Sequence, residues 1–92
     1  MAATHVGQYW LNGVTVDVWR VTLTGQTSVD VNTKLGNVLW CDQPIKEPTE
    51  GAVPFYEAYA KRDGSSRSGS IVVWCSDTAV TDTVVVKAYG TN

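Results

Sequence analysis

Val14-Thr15-Val16-Asp17-Val18-Trp19-Arg20-Val21-Thr22-Leu23-Thr24 is the stretch on which the fold turns. Apolar residues fall on every second position, first at Val14, Val16 and Val18 and then, one step out of phase, at Trp19, Val21 and Leu23. Alternation with period two marks a strand, because successive side chains leave opposite faces of the pleat. The slip at Val18-Trp19 requires a bulge, a bend of the strand from one sheet into another, or burial on both faces. In a small sandwich or barrel a bent strand serving both layers is the economical answer, with Arg20 beside the bend.

Upstream, Gln8 to Asn12 reads as a short strand, and Asn12-Gly13 is the dipeptide that folds such a strand back on the next. Downstream, Gly25-Gln26 turns the chain into Ser28 to Val31, and Lys34-Leu35-Gly36 turns it again before Asn37 to Cys41. Residues 42–53 carry Pro44, Glu47, Pro48, Glu50 and Gly51, which suit a long loop and not a sheet interior. A loop of that length is a candidate contact surface. Phe55, Glu57, Tyr59 and Lys61 alternate with Tyr56, Ala58 and Ala60, and the alternation leaves open which set faces the core. Arg62 to Gly69 is a polar hairpin loop before Ser70 to Cys75, Ser76 to Asp82 turns once more, and Thr83 to Tyr89 is a valine-rich last strand.

Valine and threonine dominate, and no window sustains apolar residues at i, i+3, i+4 and i+7, so no helix is expected. About seven strands with turn signals between them define an all-β fold: a compact antiparallel β-sandwich, jelly-roll-like or a small barrel. It forms a single domain over 1–92, with a flexible N-terminal arm at 1–6 and the long loop at 42–53. A chain of 92 residues buries only ~60 to 65% of its unfolded surface, so support from disulfides, metal or oligomerisation is expected.

A net charge of −2 and a pI near 5.1 argue against nucleic acid, whose phosphates need a basic face. No apolar run approaches the ~20 residues of a membrane-spanning helix, and Met1 to Gly13 lacks the basic and apolar regions of a secretion signal. Cytosolic synthesis is the expectation. Cys41 and Cys75 end two matching runs, Leu39-Trp40-Cys41 and Val73-Trp74-Cys75. A disulfide between them would close a loop of about 34 residues and add about 3 to 4 kcal/mol. Without a secretion signal, free thiols are favoured. Two cysteines and one histidine without close spacing make no zinc site, and no other cofactor or metal is expected.

Catalytic patterns are missing as well. His5 falls in the arm, no serine sits in G-x-S-x-G, and Asp17, Asp30 and Glu57 read as solvated strand positions and not as a glycosidase pair. Asp77 and Asp82 bracket a turn without the spacing of a calcium loop. A non-enzymatic role follows. The aromatics are the richest feature: Tyr9, Trp10, Trp19, Trp40, Phe55, Tyr56, Tyr59, Trp74 and Tyr89. Four tryptophans, each burying about 200 Å² and needing a partner for its N–H, exceed what so small a core hides. Two or three belong to the core. Tyr9, Trp10, Tyr56 and Tyr59 are the candidate interface residues, with Arg62 and Arg67 from the polar loop beside them.

The run Val18-Trp19-Arg20-Val21-Thr22-Leu23-Thr24-Gly25, followed by Ser28-Val29-Asp30-Val31, resembles the opening of small β-rich structural proteins of tailed bacteriophages. Gly69-Ser70-Ile71-Val72-Val73-Trp74 and then Thr83-Val84-Val85-Val86-Lys87-Ala88-Tyr89-Gly90 resemble the way such proteins end. The resemblance implies a head decoration (cement) or other minor virion protein, made in the bacterial host cytoplasm. It would assemble on the particle as a homo-oligomer, a trimer being favoured, in contact with a major capsid or other virion protein. The strand order is also similar to that of trimeric sugar-binding β-sandwiches of the H-type lectin kind. The alternative expectation is therefore a carbohydrate-binding module with an aromatic platform flanked by Asp or Arg of the 62–69 loop.

Overall fold

The structure, a computed structural model, describes residues 3–24, 28–47, 55–63, 66–76 and 81–92, and for 62, 63, 66 and 67 only the backbone. The Gly25-Gln26 turn, residues 48–53 of the 42–53 loop, the tip of the 62–69 loop and Asp77 lie outside the described residues. Among the described residues eight strands pair antiparallel in two sheets: β1 (Ala3–Leu11), β2 (Val14–Thr24), β3 (Ser28–Asn32), β4 (Asn37–Cys41), β5 (Ile45–Lys46), β6 (Tyr56–Asp63), β7 (Ser66–Cys75) and β8 (Thr81–Thr91). The larger sheet runs β1-β2-β8-β4, with β5 also on β8, and the smaller runs β3-β7-β6. No helix occurs among the described residues. The all-β sandwich expected from the sequence is the fold observed.

The hairpin at Asn12-Gly13 forms as its chemistry dictates. Asn12 has φ 45° and Gly13 φ 91°, both in the left-handed region, which is the two-residue I′ turn that matches strand twist. Leu11 and Val14 close it as a register pair. The first strand is longer than Gln8 to Asn12. It begins at Ala3, so within 1–6, expected to form an arm, Ala3, Thr4 and His5 pair with Val21, Arg20 and Trp19 of β2.

The phase slip in β2 has a different cause from a bend between layers. From Thr15 to Thr24 the strand keeps unbroken register with β8 and stays in one sheet. The irregularity lies in its partner: β1 shifts register between His5 and Gly7, opposite Trp19 and Val18. Both faces of β2 are covered in turn. Trp19, Val21 and Leu23 enter the core between the sheets, whereas Val16 is fully buried outside that cluster. Arg20, on the outer face, is held by Glu47 through Nε at 2.6 Å and Nη2 at 3.1 Å.

The core joins Val84, Val86 and Ala88 of β8 to Val29, Val31, Ile71, Val73, Cys75 and Tyr56 of the smaller sheet. Tyr56, Ala58 and Ala60 thus form the inner set of β6, and Phe55, Glu57, Tyr59 and Lys61 the outer. One end of the sandwich is closed by residues 33–37. Leu35 is buried there, Thr33 N–H donates to Gly69 O and Gly36 N–H to Thr91 O, each at 2.9 Å. The chain passes so near the sheets that a Cβ on Gly69 would lie 2.0 Å from Leu35 O, and one on Gly90 1.9 Å from Asn37 O. Only glycine fits such an approach. Within the expected 42–53 loop, Ile45 and Lys46 instead pair with Val85 and Val84 at the edge of the larger sheet, where nearby proline is tolerated.

Candidate interaction surfaces

Register places one residue from each of four strands in a row across the outer face of the larger sheet. Tyr9 opposes Val16, Val16 opposes Tyr89, and Tyr89 opposes Trp40. Trp40 and Tyr89 stack at 4.9 Å with planes 10° apart. That spacing equals the distance between neighbouring strands, and two rings lying side by side in one plane would overlap at it, so they stand upright on the sheet. Val16 is fully buried between the tyrosines, while Tyr9 stays 42% and Trp40 48% exposed. Leu11 and Val14 continue the apolar surface toward the hairpin turn, and exposed Ile45 opposes Val85 lower on the same sheet.

The row is bounded on one side by Asp42. Tyr89 Oη donates to Asp42 Oδ2 at 2.6 Å, and this bond, with desolvation and the nearby negative charge, pushes the phenol up to about 12. The same carboxylate adds to burial in raising the neighbouring Cys41 thiol to about 11. Among the described residues neither Cys41 nor Cys75 is in a disulfide, and both pack with the core. Burial first, and the adjacent carboxylate second, favour the neutral thiol.

On the inner side of β1, Asp17 is fully buried and accepts from four donors. Trp19 Nε1 lies 2.7 Å and Lys34 N 2.8 Å from Oδ2, His5 Nε2 2.5 Å from Oδ1, and Gln8 Nε2, more loosely, 3.5 Å from Oδ1. The His5 ring also meets Trp19 at 4.9 Å. His5 is thus a strand residue and not part of a frayed arm. Both oxygens of the carboxylate are taken by the protein's own donors, which fasten β1 and the 33–37 crossover to β2. The His-Asp contact is a structural tie.

The smaller sheet offers a second, mixed surface. Its outer face sets Trp74 between Ser28 and Glu57, and Val72 between Asp30 and Tyr59. Phe55 meets Trp74 edge-on at 6.4 Å, and Lys61 Nζ reaches Asp30 Oδ2 at 2.5 Å. An open hollow of about 420 Å³ lies beside this face, lined by Gln43, Phe55, Glu57, Ala58 and Tyr59. No group of three metal-ligating side chains occurs among the described residues.

Of the residues singled out from sequence, Tyr9 and Tyr59 are exposed but on different sheets, and Trp10 is 71% exposed on the side of β1 opposite Tyr9. Tyr56 is a correction: it is 3% exposed, its ring in the core and its hydroxyl on Asp82, which also meets Lys46 at 3.5 Å. The alternation of β6 turns it inward. Arg62 and Arg67 pair in register near the end of the β6-β7 hairpin, and their side chains lie outside the described residues. Trp40 and Tyr89 are missing from the interface residues expected from the sequence, and Asp42 enters there only as the first residue of the 42–53 loop. Their signal was an aromatic at the end of each of two strands that only the topology sets side by side. No family model, no curated protein and no solved structure matches the chain.

Proposed function

We propose that this domain is a non-enzymatic virion component of the tailed-phage decoration kind, which clamps a particle by burying the outer face of its larger sheet against a capsid protein. The single observation that carries the reading is the row Tyr9, Val16, Tyr89 and Trp40, extended by Leu11, an apolar face that the domain's own core leaves uncovered. Aromatic residues concentrated in one patch are the usual anchors of protein interfaces. Area buried at many equivalent positions stabilises a shell by mass action, without any chemistry in the subunit. Purified domain mixed with undecorated phage heads should sediment with them and raise their heat resistance. A protein that stays monomeric at every concentration and remains in the supernatant would refute this.

The hollow beside the smaller sheet supports a second reading, carbohydrate binding. Phe55 and Tyr59 present exposed rings there next to the Glu57 carboxylate and the Gln43 amide, the mixture of stacking surface and polar groups that a sugar requires. Tryptophan fluorescence across a glycan panel tests it through Trp74, which Phe55 touches. A flat response across the panel removes it.

A further inference from the structure

Among the described residues the sandwich has four sheet edges, and three carry protection. β3 has five residues with Asp30 in the middle, β6 bears Glu57 and Lys61, and β4 is interrupted by a bulge between Val38 and Trp40 and followed by β5. Charge, brevity and bulges are the ordinary defences of an exposed edge. β1 is nine residues long and contains no Asp, Glu, Lys, Arg or Pro. Its irregularity at Val6 breaks only the N-terminal half. Gly7 to Leu11 remains a regular ladder on β2, and among the described residues no strand pairs with its far side.

The hydrogen-bond phase of that open side follows from the turn. A two-residue I′ loop closes on a hydrogen-bonded pair, here Leu11 and Val14, and such pairs alternate along an antiparallel ladder. Tyr9 and Gly7 therefore exchange their bonds with β2, whereas Gln8 and Trp10 turn both backbone N–H and C=O outward. Gly7 adds an independent sign. A Cβ there would meet nothing within 4 Å, and the backbone has no positive φ, so neither the bulge nor the domain's packing calls for glycine. Glycine inside a strand also marks a place where another chain comes close.

We infer that a second copy of this chain covers this edge: Gly7–Leu11 of two copies pair antiparallel about a two-fold axis at Tyr9, joining their larger sheets into one. Bulge and turn limit the usable ladder to five residues, and a two-fold pairing engages all five only when centred on Tyr9. In that register Gln8 of each copy opposes Trp10 of the other, so the outward donors and acceptors match. Leu11 of each copy lies over Gly7 of the other, a large side chain opposite a vacant position. Tyr9 meets Tyr9, and the two aromatic rows become a single band. An uncharged strand brings no repulsion to its own copy, which is the self-complementarity that a two-fold contact demands. The contact is two-fold in place of the trimer expected from sequence.

The inference takes up the homo-oligomer expected from the sequence and rests on nothing concerning a shell. Sedimentation equilibrium of the full chain should show a closed dimer. Tyr9→Lys and Tyr9→Glu place like charges directly opposite each other at the axis, and each should weaken the dimer at least about tenfold. An equimolar mixture of the two should restore it as a heterodimer. Trp10→Pro removes an outward N–H that the single domain does not use and gives the same loss should a Tyr9 variant fail to fold, with near-UV circular dichroism reporting the fold. A monomeric wild type, growth beyond the dimer, single variants that stay dimeric, or a mixture that stays monomeric would each overturn the inference. Dimerisation without head binding leaves it standing and refutes the virion reading, and head binding by a monomer does the reverse.

Discussion

The outer faces of the two sheets obey the same alternation and differ in a single row. On the larger sheet, Tyr9, Val16, Tyr89 and Trp40 share one row with no ionised side chain in it. On the smaller sheet every apolar residue has a polar neighbour in its own row: Trp74 lies between Ser28 and Glu57, and Val72 between Asp30 and Tyr59. Grouping by row decides what water can do. A mixed row hydrates along its whole length, whereas a uniform apolar row leaves a band that a second apolar surface can cover. The count of aromatics says nothing about this, because both faces have several. Their register does.

The largest effect should come from loosening the strand that carries Tyr9. Asp17→Ala strips four buried or half-buried donors of their acceptor and should cost about 3 kcal/mol in urea unfolding, with hydrogen exchange in β1 rising well before that in β6 and β7. If β6 and β7 loosen equally, the larger face is not separable from the rest. Next, Val16→Ala should cost about 2 kcal/mol, because aromatics seal the residue from both sides, and Val72→Ala on the smaller face about 1 kcal/mol. Equal costs would erase the contrast between the faces.

On association, Trp40→Ala should weaken head binding about tenfold or more, as interface aromatics do, while Tyr59→Ala leaves it within about twofold. Alkaline titration gives a smaller and more gradual effect. Cys41 is raised from 9.0 to about 11, and Tyr89 from 10.0 to about 12. Both folded values lie above the unfolded ones, so the neutral groups contribute stability that is fully present below pH 9. It should fade between pH 9 and 11 for the thiol and between pH 10 and 12 for the phenol. Asp42→Asn lowers both folded values and should narrow the two windows in a pH series of melting curves. Smallest of all, Lys61→Ala on the smaller face should leave stability unchanged, since its partnership with Asp30 is exposed on both sides.

What was legible in the sequence was local. Asn12-Gly13 announces its turn because positive φ is a property of those two residues, and Phe55 to Lys61 announces a strand because alternation needs no distant partner. Which side of β6 faces inward depends on the sheet it packs against, and Tyr56 was accordingly placed on the wrong side. The slip at Val18-Trp19 was visible and its cause was not, because the rings that cover Val16 come from Tyr9 and Tyr89, on strands flanking it from opposite ends of the chain. His5 looked idle in sequence for the same reason: its partner lies across a strand pair, and nothing nearby in the chain points to it.

One feature of the topology bears on the order in which the protein comes into being. β8 is the last strand in the chain and sits inside the larger sheet, with β2 on one side and β4 and β5 on the other. A ribosome can release the β1-β2 hairpin early, because its contacts are local. The row of aromatics and the seating of Ile45 must wait until Thr81–Thr91 has been made. During that interval the nascent chain offers two open edges where the finished sheet has one strand. Until that strand arrives, the facing edges of β2 and β4 are the places where an incomplete chain is open to pairing with another.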